Sequence, residues 1–189
     1  MDFKNDLENC LTVLEKGGLI LYPTDTIWGI GCDATNVEAV KKIYELKERV
    51  ESKTMIVLVA EEKDILRYVA HPDMRVFDFL QQAEKPTTVI YEGAIGLADN
   101  LVSLEGAVAL RIVQDTFCRH LIKRFRKPIV STSANISGQP APAFFREIVH
   151  FIKQGVDYIV EYRQDDELPQ QPSVIIRWTK EGMVEVLRP

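Results

Sequence analysis

Three short segments carry residue types from which a binding or catalytic site could be built. Tyr22-Pro23-Thr24-Asp25-Thr26-Ile27-Trp28-Gly29-Ile30-Gly31 places hydroxyls, a carboxylate and two glycines directly after an apolar run. Threonine hydroxyls both donate and accept hydrogen bonds, and glycine lets a ligand approach the backbone. A tight turn with side-chain-to-backbone bonds uses the same residues. Lys47-Glu48-Arg49-Val50-Glu51-Ser52-Lys53 gathers three cations. An arginine fork suits phosphate oxygens and lysine adds a mobile point charge, although cations at a helix end also complement its dipole. Ser131-Thr132-Ser133-Ala134-Asn135-Ile136-Ser137 is hydroxylic or amide at five of seven positions. That density exceeds the needs of one turn and reads as a ligand loop. Finally, Arg111 stands alone in the apolar run Ala109-Leu110-Arg111-Ile112. Buried there it demands an anionic partner, either an internal carboxylate or a substrate carboxylate. Arg177 raises the same question more weakly, because its strand can alternate faces.

Other chemistries lose ground. The sequence contains no GxxxxGK[ST], GxGxxG or GxSxG, which argues against a P-loop ATPase, a Rossmann oxidoreductase and an α/β-hydrolase. His71, His120 and His150 have no cysteine or histidine at metal-ligand spacing. Cys10, Cys32 and Cys118 are odd in number and far apart. They suit small, reduced, buried residues of a cytoplasmic protein better than a disulfide framework. With a net charge of −5, indiscriminate coating of nucleic acid is disfavoured. A locally positive cleft for small anions is not. Lys123, Arg124, Arg126 and Lys127 cluster at a helix end, where they read as a solvated, dipole-compensating face.

These segments need a scaffold, and 189 residues with 46% apolar and 27% charged side chains supply one domain spanning the chain. No run approaches the ~20 apolar residues of a membrane span, and the first residues lack the apolar stretch of a secretory signal. A helix is expected after an Asn5 cap, with Leu7, Cys10, Leu11 and Leu14 on one face and Gly17-Gly18 at its end. A short buried strand follows at 19–22. Thr35-Asn36-Val37-Glu38 reads as a capping box for a helix burying Val37, Val40, Ile43 and Tyr44. Strands are expected at 55–59, 87–91, 107–112, 129–130, 158–160, 174–178 and 184–187. Helices are expected at 65–70, 73–82, 117–125 and 144–152. The polar stretches 24–31, 131–142 and 164–171 read as loops. Alternating strands and helices imply an α/β mixed sheet with flanking helices. Loops at 24, 47 and 131 each fall at an element end, where ligands of such sheets sit.

Taken in order, these segments resemble the YrdC family, including the bacterial TsaC proteins. The 22–31 stretch looks like its N-terminal threonine-binding motif, and Lys47-Glu48-Arg49 with Lys53 like its KxR motif. Ser133-Ala134-Asn135 looks like its SxN motif. Pro172-Ser173-Val174-Ile175 and Leu187-Arg188-Pro189 resemble its late segments. The resemblance runs from about Gly17 to Arg188. It implies a twisted sheet with a concave, positively charged cavity. It also implies that L-threonine, bicarbonate and ATP give threonylcarbamoyl-AMP and pyrophosphate for tRNA modification. Thr26, Arg111 and Ser173 would then hold threonine, Arg111 facing its carboxylate. Lys47, Arg49 and Lys53 would face the ATP phosphates. Ser133 and Asn135 would position nucleotide and carbamate, with Arg188 near the nucleotide. Magnesium would be held mainly through phosphates. A threonylcarbamoyl-transferase complex of TsaD, TsaB and TsaE type would take the product, and tRNA could be touched directly through the 123–127 cluster.

The chain departs from the family pattern at Val50, at Glu84-Lys85-Pro86-Thr87-Thr88 and at Pro172. Two other readings compete. One is a non-catalytic RNA-binding module. The other is a domain forming a carbamoyl adenylate, like the YrdC-like part of HypF.

Overall fold

The computed structural model describes residues 3–50, 55–179 and 182–189. Among the described residues nine strands make one sheet: β1 (Ile20–Tyr22), β2 (Gly29–Gly31), β3 (Ile56–Val59), β4 (Thr87–Glu92), β5 (Ala107–Ile112), β6 (Ile129–Ser133), β7 (Tyr158–Ile159), β8 (Val174–Trp178) and β9 (Val184–Arg188). Their spatial order is β7-β1-β2-β6-β3-β5-β4-β8-β9. The pairs β1–β7, β3–β5 and β4–β8 are parallel and the others antiparallel, so the expected mixed α/β sheet is present.

The α-helices among the described residues are α1 (Lys4–Glu15), α2 (Val37–Leu46), α3 (Glu62–Tyr68), α4 (Arg75–Gln82), α5 (Thr116–Phe125) and α6 (His150–Gln154). The apolar face of α1 buries Leu7, Cys10 and Leu14, and α5 buries Phe117, Cys118, Leu121, Ile122 and Phe125. The two helices are held at one end by Phe3, whose ring meets Phe117 at 5.5 Å and Tyr162 at 5.0 Å. Asp6 is buried, yet its carboxylate accepts from the Tyr158 hydroxyl and the Glu161 and Tyr162 amides. Those three bonds offset its desolvation and pin α1 to the chain leaving β7. All three cysteines are buried and free, with thiol pKa values pushed up chiefly by burial, so they are unreactive.

Several local expectations change. Asn5 does not cap α1; it lies inside the helix, which starts at Lys4 behind Phe3 without a side-chain cap. Asn36, not Thr35, caps α2 by accepting from Ala39 N–H, while Thr35 gives both its donors to Asp33. Val37 lies outward on that helix. The expected helix over 144–152 splits into a 3₁₀ turn, Phe145–Glu147, and the short α6. The extended Val149 separates them. β2 falls inside the stretch read as a loop. A Cβ on Gly31 would lie 2.6 Å from the Tyr22 ring and 2.7 Å from Val130 O, so glycine permits this strand where its low β-propensity hid it.

Candidate active site

Six strands and the loops beside them converge on one cavity of about 200 Å³. β2 and β6 pair Gly29 with Ser133, β3 and β6 pair Ile56 with Ser131, and β5 contributes Arg111. Thr26 and Trp28 form one wall, Pro172, Ser173 and Arg188 another, and Arg49 reaches in from behind α2. Among the described residues, three guanidinium groups and no carboxylate line it. The three segments read separately from the sequence are thus brought together, along with Arg111, Ser173 and Arg188.

Arg111 is buried at 3% exposure. Its Nη2 lies 3.1 Å from Asp25 Oδ1, close enough to pair as charges but off the angle of a hydrogen bond. Nε and Nη2 of Arg111 and Oδ1 of Asp25 therefore have no hydrogen-bond partner. The second Asp25 oxygen accepts from Gln114 N–H at 2.8 Å, which fixes the carboxylate. The internal carboxylate foreseen as a possible partner is thus present, and it still leaves guanidinium donors unmet. Unmet buried donors are costly, about 1–3 kcal/mol each, which leaves the guanidinium charge beside the cavity only partly compensated.

Arg188 is spent differently. Its Nε and Nη2 donate to Ser173 O at 3.0 and 2.8 Å, and Nη2 also reaches Ser173 Oγ at 3.2 Å. Ser173 Oγ meets Thr88 Oγ1 at 2.8 Å, so the unusual 84–88 segment supports this wall through Thr88. The pKa of Arg188 is pushed down by burial and then by Arg111, the mark of two cations facing one space.

The turn after α2 aims Arg49. Glu48 takes a left-handed φ of 51°. Its N–H bonds Glu45 O, and Arg49 N–H bonds Tyr44 O at 2.9 Å, a Schellman closure with glutamate where glycine is usual. Burial lowers the pKa of the Arg49 side chain, with Tyr44 opposing.

Lys47 does not go where the resemblance sends it. It is 1% exposed and is not among the residues lining the cavity. Its Nζ donates to Ser133 O, to Asn135 O at 2.5 Å and to Asn135 Oδ1 at 3.5 Å. Its own carbonyl accepts from Ser137 N–H at 2.8 Å. Burial, with Arg49 second, pushes its pKa down to about 7. Against that, three oxygen acceptors match the three donors of an ammonium. Asn135 is likewise turned inward, donating to Ile136 O at 3.0 Å and Gln139 O at 2.6 Å. These two residues shape the 131–139 loop, while Ser131, Thr132 and Ser133 line the cavity. Lys53 lies outside the described residues. Arg177 is exposed and pairs with Glu185 at 3.1 Å.

Residues the sequence left unassigned also matter. Asp25 is the fixed counter-charge of Arg111. Trp28, 4% exposed, packs on Phe145 with ring centroids 4.7 Å apart and closes the cavity wall. A carboxylate and an aromatic between two hydroxyls and two glycines are visible in the sequence. Their duties depend on the strand pairing.

The family model Sua5_yciO_yrdC, described as "Telomere recombination", matches residues 12–189. The chain belongs to this family. A threonylcarbamoyl-AMP synthase of Idiomarina loihiensis is 32% identical over 149 residues, 77% of this chain and 80% of that protein. One of Stenotrophomonas maltophilia is 33% identical over 144 residues, 75% of this chain and 77% of that one. Among solved structures, MTH1692 from Methanobacterium thermoautotrophicum has a TM-score of 0.73 at 31% identity, over 96% of this chain and 85% of that one. A P. abyssi Sua5 complexed with L-threonine has a TM-score of 0.84 at 22% identity. That alignment covers 97% of this chain but 53% of the Sua5 chain, so the present chain spans about half of that protein. At that identity the likeness speaks for the shared fold.

Proposed function

We propose that the protein is a threonylcarbamoyl-AMP synthase, a nucleotidyltransferase acting in the cytoplasm as one domain over residues 1–189. The observation that carries this reading is Arg111, buried on the cavity wall with guanidinium donors unmet. A substrate carboxylate fits it as a fork fits two oxygens. Names of relatives, threonylcarbamoyl-AMP synthase among them, and the L-threonine bound to P. abyssi Sua5 support the choice of amino acid.

In this reading the amine of threonine combines with bicarbonate to give a carbamate and water. A carbamate oxygen attacks the α-phosphorus of ATP, the bond to the β-phosphate bridging oxygen breaks, and pyrophosphate leaves. No protein nucleophile is required. The protein contributes position and charge. Arg111 and Ser173 hold the amino acid, Thr26 receives a hydrogen from it, and Arg49, Lys53 and Arg188 face the nucleotide. Ser133 supports the phosphate side from the end of β6. Lys47 and Asn135 act from behind by fixing the loop. Among the described residues no group of three potential ligands is placed to hold a metal ion. Magnesium would enter with ATP, held mainly through phosphate oxygens and water. The product passes to a threonylcarbamoyl-transferase complex that modifies tRNA. Among the described residues no helix is long and apolar enough to cross a membrane.

The test is pyrophosphate release from ATP, bicarbonate and magnesium, with and without L-threonine, for wild type and Arg49→Ala. Threonine-dependent release that falls about tenfold in the variant at ATP below its KM is expected. Nucleotide binding without any release would sink the reading in favour of an RNA-binding role.

A further inference from the structure

The hydrogen bonds around Thr26 have only one self-consistent direction. Thr24 Oγ1 carries one hydrogen and two lone pairs. Ile27 O lies 2.9 Å away and, as a carbonyl, can only accept, so Thr24 gives its hydrogen there. The Thr24 oxygen in turn accepts Thr26 N–H at 3.0 Å. Thr26 Oγ1 sits 2.9 Å from the same oxygen, and with the Thr24 hydrogen already committed, the Thr26 hydroxyl must be the donor. Both threonines are buried, at 1% and 4% exposure, and Thr26 lines the cavity. Thr26 is left with lone pairs alone to offer a ligand.

The chain behind this pair is itself tied down. Arg163 Nη1 donates to Thr24 O at 3.1 Å and to Asp115 Oδ2 at 3.0 Å. The other Asp115 oxygen caps α5 through Cys118 N–H at 2.8 Å. The orientation of a single hydroxyl is thus anchored to a helix start more than eighty residues away in sequence.

We infer that Thr24 is a positioning residue which makes Thr26 an obligate hydrogen-bond acceptor for an N–H or O–H of the amino-acid substrate. This rests on the synthase reading and deepens it. An acceptor at this point, with the Arg111 donors in the same cavity, sorts the two ends of an amino acid: the carboxylate goes to the guanidinium and a donor group to Thr26. A Thr26 free to rotate would accept either polarity and lose that sorting.

The experiment measures steady-state pyrophosphate release by wild type, Thr24→Val and Thr24→Ser, with L-threonine and with 2-aminobutyrate, which lacks the β-hydroxyl. Thr24→Val is expected to raise KM for threonine about tenfold or more while leaving KM for ATP within about twofold, and Thr24→Ser to restore it. Persistence of the penalty with 2-aminobutyrate assigns the donor as the amine; its disappearance assigns the hydroxyl. Unchanged threonine KM, equal rises for both substrates, or failure of serine to rescue would overturn the inference. If Thr24→Val does not fold, Arg163→Gln carries the same split in KM. If wild type releases no pyrophosphate, the synthase reading fails alone, and calorimetric titration of L-threonine into wild type and Thr24→Val still decides the inference. Absence of threonine binding to wild type would end both.

Discussion

Lys47 and Arg111 are both buried cations beside one cavity, and their donors have opposite fates. Lys47 gives all three ammonium hydrogens to loop oxygens. Arg111 keeps two guanidinium nitrogens without a hydrogen bond although a carboxylate lies at ion-pair distance. A cation whose donors are used up by the protein is a strut. One held short of satisfaction by a fixed partner is a receptor. Residue type and burial do not separate the two; whether each donor finds an acceptor does.

The comparison breaks most readily at Arg111. Arg111→Met should lower kcat/KM for threonine about 100-fold or more, in keeping with the ~2–5 kcal/mol lost when a buried hydrogen-bonded charge is truncated. Arg111→Lys should not rescue it, because an ammonium cannot reproduce the fork; recovery within tenfold would put Arg111 among the struts. Lys47→Met should do the reverse. Leaving Ser133 O and Asn135 O without a donor should cost about 2 kcal/mol of stability in urea unfolding, with threonine KM changing less than tenfold.

Arg49 refines the contrast by substrate. Arg49→Ala should raise KM for ATP about tenfold, roughly 1.4 kcal/mol, and leave threonine KM nearly unchanged. The smallest effect belongs to a surface cation already paired with a neighbouring carboxylate. Arg75 donates three hydrogen bonds from its side chain to Asp73, whose Oδ2 also accepts from Trp178 Nε1 at 2.9 Å. Arg75→Ala should leave the urea unfolding midpoint nearly unchanged. Arg75, followed by Trp178, holds the Asp73 carboxyl well below the usual carboxylate range. Because the folded pKa is depressed, the stabilising contribution is present above the unfolded value near ~4 and is lost as pH falls through the folded value. Trp178 fluorescence should therefore stay constant from neutral pH to about pH 4 and change only below it.

Much of the scaffold was legible in the sequence. The strands over 107–112 and 174–178 and the apolar face of α5 follow from periodicity, because packing and pattern agree there. β2 was hidden because Gly31 answers to the closeness of Tyr22 and Val130, a tertiary demand. The cap of α2 moved to Asn36 because Thr35 is taken by Asp33, and no local rule ranks those choices. In the site, the ordered motifs named Thr26, Arg49, Arg111, Ser133, Ser173 and Arg188, and all six line one cavity. The motif containing Lys47 and Asn135 was equally visible. Their inward orientation was not, since it follows from the 131–139 loop folding over the end of α2 and exposing carbonyls that need donors.

Calorimetric titration of L-threonine into wild type, Arg111→Lys and Lys47→Met tests the separation of receptor from strut most directly. That separation predicts binding to wild type, binding within tenfold of wild type for folded Lys47→Met, and no measurable binding for a folded Arg111→Lys. Threonine binding that survives in Arg111→Lys and vanishes in Lys47→Met would contradict it.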